Sequence, residues 1–309
     1  MTFATFLSQK IERYIELRRS LGYTFDKQAG TLRAFGHHVE RSRLAGPVTR
    51  TMAQDFVLSF RGAANGRAIR HGVLRRFYEY LALYDAQTEA LERKAFHRSR
   101  AIPPPRIVSD AELASLIEAC RALSPRLPLI GSSMVTVIGL LASTGLRSGE
   151  AVRLDRSDID LIRGVILVRK TKFRKDRLVP VHPTTLAALR RYARERDAAF
   201  PAPVAAGFFL SSRGCRLSAS GLQGNFVKAR KHAGLDDGKP LRPHDLRHRF
   251  AVERLRLWHQ QCADVQALLP LLATYLGHAN YSDTAYYLTG SSDLLAAAAE
   301  RAFTDGGAA

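Results

Sequence analysis

Apolar positions in the first hundred residues recur at helical spacing. Phe6-Leu7, Ile11, Tyr14-Ile15 and Leu17-Leu21 recur at the 3.6-residue period with charged residues between them, which predicts an amphipathic helix at the start of the chain. Lys27 to Val39, Met52 to Phe60 and Ala68 to Leu83 repeat the pattern, and the turn-like Gly46-Pro47 and Gly62 to Gly66 separate them. Strand signals are absent here, so this part reads as a bundle of four or five helices. The stretch Phe96 to Arg106 then carries Ile102-Pro103-Pro104-Pro105. Consecutive prolines cannot continue a helix and form an extended, semi-rigid spacer. The expected organisation is a helical domain over residues 1–98, a Pro-rich linker over 99–106 and a second domain over 107–309.

The second domain opens on Ser109-Asp110-Ala111-Glu112, which has capping-box spacing, followed by Leu113, Leu116, Ile117 and Cys120 on one helical face. A second helix is expected over Gly131 to Leu141. The period then changes. Gly164-Val165-Ile166-Leu167-Val168 and Arg177-Leu178-Val179-Pro180-Val181 are β-rich runs on either side of a polar basic loop, and predict a hairpin. From Thr184 onward the pattern is again mainly helical. The fold class is therefore mainly α with a small antiparallel β-sheet (α+β).

Composition supports two folded domains. The 309 residues exceed the size at which single cores tend to split, about 250 residues. A hydrophobic fraction of 46% with 24% charged residues is that of an ordinary folded chain. The charge balance narrows the partner: 47 Lys and Arg against 28 Asp and Glu give a formal net charge of +19, spread along the chain. Such a surface suits a polyanion; a merely basic protein, or one that meets an anionic membrane surface, is the competing reading of charge alone. Cys120, Cys215 and Cys262 are odd in number, far apart and in no CxxC arrangement, so neither a disulfide framework nor a zinc site is indicated, and a reducing compartment fits. Met1 to Leu7 is too short for a signal peptide before the charged stretch Lys10 to Arg19. The longest apolar run, Met134 to Ala142, falls short of the about 20 residues that cross a bilayer. The expected location is the cytoplasm.

Four segments of the second domain carry chemistry. In Ser143-Thr144-Gly145-Leu146-Arg147-Ser148-Gly149-Glu150 a glycine turn presents an arginine at the start of a new helix, where it can meet an anion; taken alone, Arg147 also reads as a surface residue paired with Glu150. Lys170-Thr171-Lys172-Phe173-Arg174-Lys175-Asp176-Arg177 is the basic loop of the hairpin. Such a run usually serves solubility or phosphate contact, but a lysine at a hairpin tip can also reach into a site and give a proton to a leaving oxygen. In Leu241-Arg242-Pro243-His244-Asp245-Leu246-Arg247-His248 the proline suits a helix start, and His244 and Arg247 share a face that can hold one phosphate, or be an ordinary polar face; His248 is expected to point elsewhere. The fourth segment, Leu276 to Tyr287, ends in Tyr286-Tyr287, each of which alone reads as packing.

Taken together and in this order, the four segments resemble the motif set of tyrosine recombinases (phage integrases): TGLRSGE, a hairpin lysine followed by RLVPV, HDLRH, and LGH with a tyrosine nine residues beyond its histidine. The match spans essentially the whole second domain. It implies an N-terminal helical core-binding domain, a C-terminal tyrosine-recombinase catalytic domain, and the catalytic residues Arg147, Lys172, His244, Arg247, His278 and Tyr287, with Glu150 bracing the site. Lys170 and Lys175 can substitute for Lys172 in a shifted loop register, and only the offset from His278 separates Tyr287 from Tyr286.

The implied activity is cleavage and rejoining of double-stranded DNA through a 3′-phosphotyrosyl bond, for integration, excision or transposition. Arg147 and Arg247 would compensate phosphate charge, His244 would take the tyrosine proton, Lys172 would protonate the 5′-oxygen and His278 would add a hydrogen bond. No cofactor, metal or nucleotide is implied. Strand exchange between two duplexes implies a homo-oligomer, a dimer on each site and a tetrameric synapse. Type IB topoisomerase-like relaxation, or DNA binding without catalysis on the same scaffold, are the alternatives. The Arg- and aromatic-rich stretch Ala68 to Tyr84 is the expected recognition helix, and Ser291 to Phe303 a helix that docks on a neighbouring protomer or folds back on its own domain.

Overall fold

Helix starts are set by short polar side chains. Thr2 accepts the Thr5 amide and opens α1 (Phe3–Ser20), and Thr49 accepts the Met52 amide and opens α3 (Arg50–Leu58). Between them lies α2 (Asp26–Arg41), and α4 (Ala64–Leu81) follows. The computed structural model describes residues 2–62, 64–96, 106–123, 128–169, 176–202, 205–238, 240–278 and 284. By internal contacts the chain divides into two units, Met1–Pro103 and Pro104–Ala309.

In the first unit the four helices bury Leu7, Ile11, Tyr14, Leu32, Phe35, Phe56, Leu74, Phe77 and Tyr78 in one core. Helix α4 begins at Ala64, inside the stretch read as a turn from Gly62 to Gly66. A glycine within a helix costs about 1 kcal/mol relative to alanine, and the buried face from Ala68 to Leu81 outweighs it. The aromatics of the expected recognition helix are partly spent on this core: Phe77 and Tyr78 are buried, while Arg76 is exposed.

In the second unit Ser109 and Glu112 form the capping box expected at α5 (Asp110–Arg121), with the Ser109 amide donating to Glu112 at 2.8 Å and the Glu112 amide to Ser109 at 3.2 Å. Helix α6 (Pro128–Thr144) runs through the core, burying Met134, Val137, Ile138, Leu140 and Leu141. It packs against α5, α8 (Pro183–Ala199) and α10 (Pro243–Gln260). The short α7 (Ser148–Arg153), α9 (Ala219–His232) and α11 (Val265–Leu276) complete the α-helices of the described residues.

The predicted hairpin is present as β2 (Val165–Val168) and β3 (Arg177–Pro180), antiparallel with Ile166 opposite Val179 and Val168 opposite Arg177. A third strand, β1 (Ile159–Asp160), pairs with β2 and has no signature in the pattern, because two residues are too few to alternate. The fold is thus mainly helical with a small three-stranded antiparallel sheet. Among the described residues no helix is long and apolar enough to cross a membrane.

Candidate functional site

Gly145 ends α6 with φ +63°, a conformation L side chains rarely adopt, and a Cβ placed there would stand 2.6 Å from Phe250 and 2.7 Å from Leu276. The turn is therefore pressed against α10 and α11, and it delivers Arg147 to the N-cap of α7. The Arg147 amide donates to Glu150 Oε2 at 3.0 Å and its Nη1 to Glu150 Oε1 at 2.9 Å. Its Nη2 reaches across to the Gly277 carbonyl at 3.1 Å. About a third of the Arg147 side chain, 32%, stays exposed.

Arg247 lies one turn into α10 and is almost wholly buried, at 1% exposure. Its Nη1 donates to the Gly145 carbonyl at 2.7 Å and its Nη2 to the Leu276 carbonyl at 2.9 Å. These are terminal carbonyls of α6 and α11, which have no partner inside their own helices and sit at the negative ends of the helix dipoles. The two arginines thus occupy consecutive carbonyls, Leu276 and Gly277, directly before His278.

Gly277 closes α11 in the left-handed conformation at φ +69°, and the His278 amide turns back to the Ala273 carbonyl at 3.0 Å. The His278 ring is fixed through Nδ1, 2.6 Å from the Thr284 hydroxyl. Thr284 is fully buried.

His244 stands on the first turn of α10, where Pro243 opens the helix and Asp245 accepts the Arg242 amide at 2.8 Å. Solvent reaches the edge of the His244 ring, while the atoms packed behind it desolvate the imidazole and, with the charges of Arg247, Arg147 and Arg242, hold it below its ordinary value against the pull of Asp245. His244 is thereby kept neutral near pH 7, the form that accepts a proton. His248 does not point elsewhere: its ring meets that of His244 edge to face, 4.7 Å between centroids. Residues four apart on a helix lie one above the other, which overrides the expectation drawn from its adjacency to Arg247. Burial and the neighbouring positive groups push the His248 imidazole down to about 4.

Sequence reasoning missed Thr284 and one charged residue of this cluster. Arg177, at the start of β3, grips Glu150 through Nη2 at 2.9 Å and Nη1 at 3.2 Å, and its Nε donates to the Tyr275 carbonyl at 2.9 Å. Glu150 is 3% exposed. Burial pushes its carboxyl up, but the hydrogen bonds and charge of Arg177, with Arg147 beside it, hold it at about 2. A signal for Arg177 existed: it shares a strand face with Val179, which is fully buried, while Leu178 between them is 65% exposed. A cation on an inward strand face needs a carboxylate, and that partner lies far off in sequence.

The structure therefore brings Arg147, His244, Arg247 and His278 to the adjoining ends of α6, α7, α10 and α11. Lys172, Lys170, Lys175, Tyr286 and Tyr287 lie outside the described residues, as does the segment Ser291 to Phe303.

The model of the phage integrase family matches residues 107–292, more than half of the chain. The chain belongs to the phage integrase family. Among its relatives is the integrase/recombinase y4rE of Sinorhizobium fredii, 77% identical over 307 residues that cover 99% of each chain. The tyrosine recombinase XerD of Ralstonia nicotianae is 32% identical over 222 residues, covering 71% of this chain and 67% of that one. The fold matches the integrase of the Tn1549 transposon, solved in complex with transposon right end DNA, with a TM-score of 0.64 at 19% identity over 97% of this chain and 99% of that one. The integrase family is that of the tyrosine recombinases, which cleave and rejoin DNA.

Proposed function

We propose that this chain is a site-specific recombinase that cuts and reseals double-stranded DNA with Tyr287 as nucleophile. The observation that carries the reading is the pair Arg147 and Arg247, anchored on the Gly277 and Leu276 carbonyls beside His278. Attack on a phosphodiester concentrates charge on the non-bridging oxygens, and two guanidinium charges fixed beside His278 compensate it. In this reading neutral His244 accepts the Tyr287 proton as the tyrosine oxygen bonds to phosphorus. The bond from phosphorus to the 5′-oxygen breaks, and Lys172 protonates the leaving oxygen. His278, its ring set by Thr284, donates to the phosphate. The products are a 3′-phosphotyrosyl bond and a free 5′-hydroxyl, and attack by another 5′-hydroxyl reverses the step without metal or nucleotide.

Residues 1–98 serve as the core-binding domain, 99–106 as linker and 107–309 as catalytic domain, a division supported by the two units of the fold. The net charge of +19 supports duplex DNA as the partner. One chain supplies one nucleophile and exchange breaks four strands, so the working assembly is a dimer on each site and a tetramer on two, acting at the nucleoid. The function is tested on supercoiled plasmids that carry one or two copies of the element's ends, in chelator and without nucleotide. Recombinant circles from the two-site plasmid alone are expected; relaxation regardless of sites would replace the reading with a topoisomerase.

A further inference from the structure

Glu150 is a single buried carboxylate facing two guanidinium groups. Arg147 contacts one oxygen through Nη1 at 2.9 Å, while Arg177 spans both, and the Arg177 side chain is 11% exposed against 32% for Arg147. A carboxylate with Arg147 alone would form a neutral pair. With Arg177 present the trio keeps one net positive charge, on the more exposed arginine.

The local backbone is shaped around this contact. A Cβ on Gly277 would stand 2.7 Å from Arg177 Nη1 and 2.9 Å from its Cζ, so a glycine there gives Arg177 room to pass beneath the end of α11. The Arg177 bond to the Tyr275 carbonyl then ties the base of the hairpin to α11, and its grip on Glu150 ties the hairpin to α7.

We propose that Arg177 is a positioning residue for the phosphate site: it takes up the charge of Glu150, so that Arg147 meets the phosphate with its own charge largely uncompensated. This rests on the reading of Arg147, His244, Arg247 and His278 as the scissile-phosphate site. Two other cations that line a small cavity with Glu150 have carboxylates of their own: Arg216 pairs with Asp155, and Arg169 with Asp158.

The test is a calorimetric titration of the full chain with inorganic phosphate at fixed ionic strength, with thermal unfolding as the check on folding. Binding by the wild type that disappears in Arg147→Met defines the site; binding that persists in Arg147→Met overturns the phosphate-site reading and this inference with it. Loss of one compensating charge in a partly buried site predicts that Arg177→Gln binds phosphate about tenfold more weakly. Removing the carboxylate as well, in Arg177→Gln/Glu150→Gln, predicts recovery to within about threefold of wild type. A purely structural Arg177 would leave the double variant as weak as the single one or weaker. Wild-type affinity in Arg177→Gln would overturn the inference while leaving the functional reading standing. Where Arg177→Gln does not fold, Arg177→Lys decides: it keeps the charge beside Glu150 but not the bidentate grip, and predicts a loss of no more than about threefold, while a tenfold loss would overturn the proposal.

Discussion

Arg147 and Arg247 hang from consecutive carbonyls, Gly277 and Leu276, at 3.1 and 2.9 Å. Two arginines separated by a hundred residues are thus registered to each other by one helix end. The same helix end presents His278, so three of the residues assigned to phosphate recognition share a single anchor. Their environments differ in a way that separates stability from chemistry.

Arg247 is buried on two carbonyls, so Arg247→Ala leaves the Gly145 and Leu276 oxygens unsatisfied and is expected to lower unfolding free energy by roughly 2–4 kcal/mol. Arg147 is partly exposed, and Glu150 keeps Arg177 when it is lost. Arg147→Ala is therefore expected to cost about 1 kcal/mol of stability while slowing DNA cleavage about 10² to 10³-fold. Urea unfolding and single-turnover cleavage of the two variants check the split; equal destabilisation by both contradicts it.

Glycines test the packing of the first motif. Gly145→Ala combines an unfavourable φ with a Cβ 2.6 Å from Phe250, and is expected to destabilise by roughly 2–4 kcal/mol. Gly139 lies within α6, and a Cβ there would meet nothing within 4 Å. Alanine at that position removes the helix penalty of glycine, with an expected gain of about 0.5–1 kcal/mol. Denaturant midpoints of the pair give the comparison, and a neutral Gly145→Ala would show that the turn can move away from α10.

The histidine pair sets a pH dependence. His248 has a folded value of about 4 against an ordinary 6.5, so the unfolded chain binds the extra proton first and stability falls as pH drops from about 6.5 toward 4. Glu150, held at about 2, acts lower on the pH scale: its contribution is complete above about 4.5 and is lost only on further acidification toward 2. Thermal unfolding between pH 7 and pH 5 should therefore report the histidines, and His248→Gln should flatten the slope there. His244 is also lowered, so the acid limb of the cleavage profile is expected below 6.5. A limb above 6.5 would argue against His244 as the base.

Much of this arrangement is legible in the sequence. Pro243 and the spacing of His244 and Arg247 place a helix start and a shared face, and Ser109 with Glu112 fixes the start of α5. The hairpin is visible because Val165 to Val168 and Arg177 to Val181 are β-rich runs on either side of a polar loop. What escapes the pattern is long-range. Glu150 finds Arg177 only after the hairpin folds against α7; the nearer pair His278 and Thr284, six residues apart, fits no helical or strand contact spacing. His248 departs from expectation for a different reason: the helical repeat that stacks it on His244 outweighs its adjacency to Arg247.

A covalent bond between Tyr287 and DNA is the core of the proposed chemistry, and trapping it is the decisive measurement. Wild-type, Tyr287→Phe and Tyr286→Phe proteins are incubated with labelled nicked duplex carrying the element's own ends, and the products are resolved under denaturing conditions. A protein–DNA adduct is expected from wild type and Tyr286→Phe, and its loss in Tyr287→Phe with DNA binding retained. An adduct that survives in Tyr287→Phe, or none from wild type on a duplex it binds, would contradict the assignment.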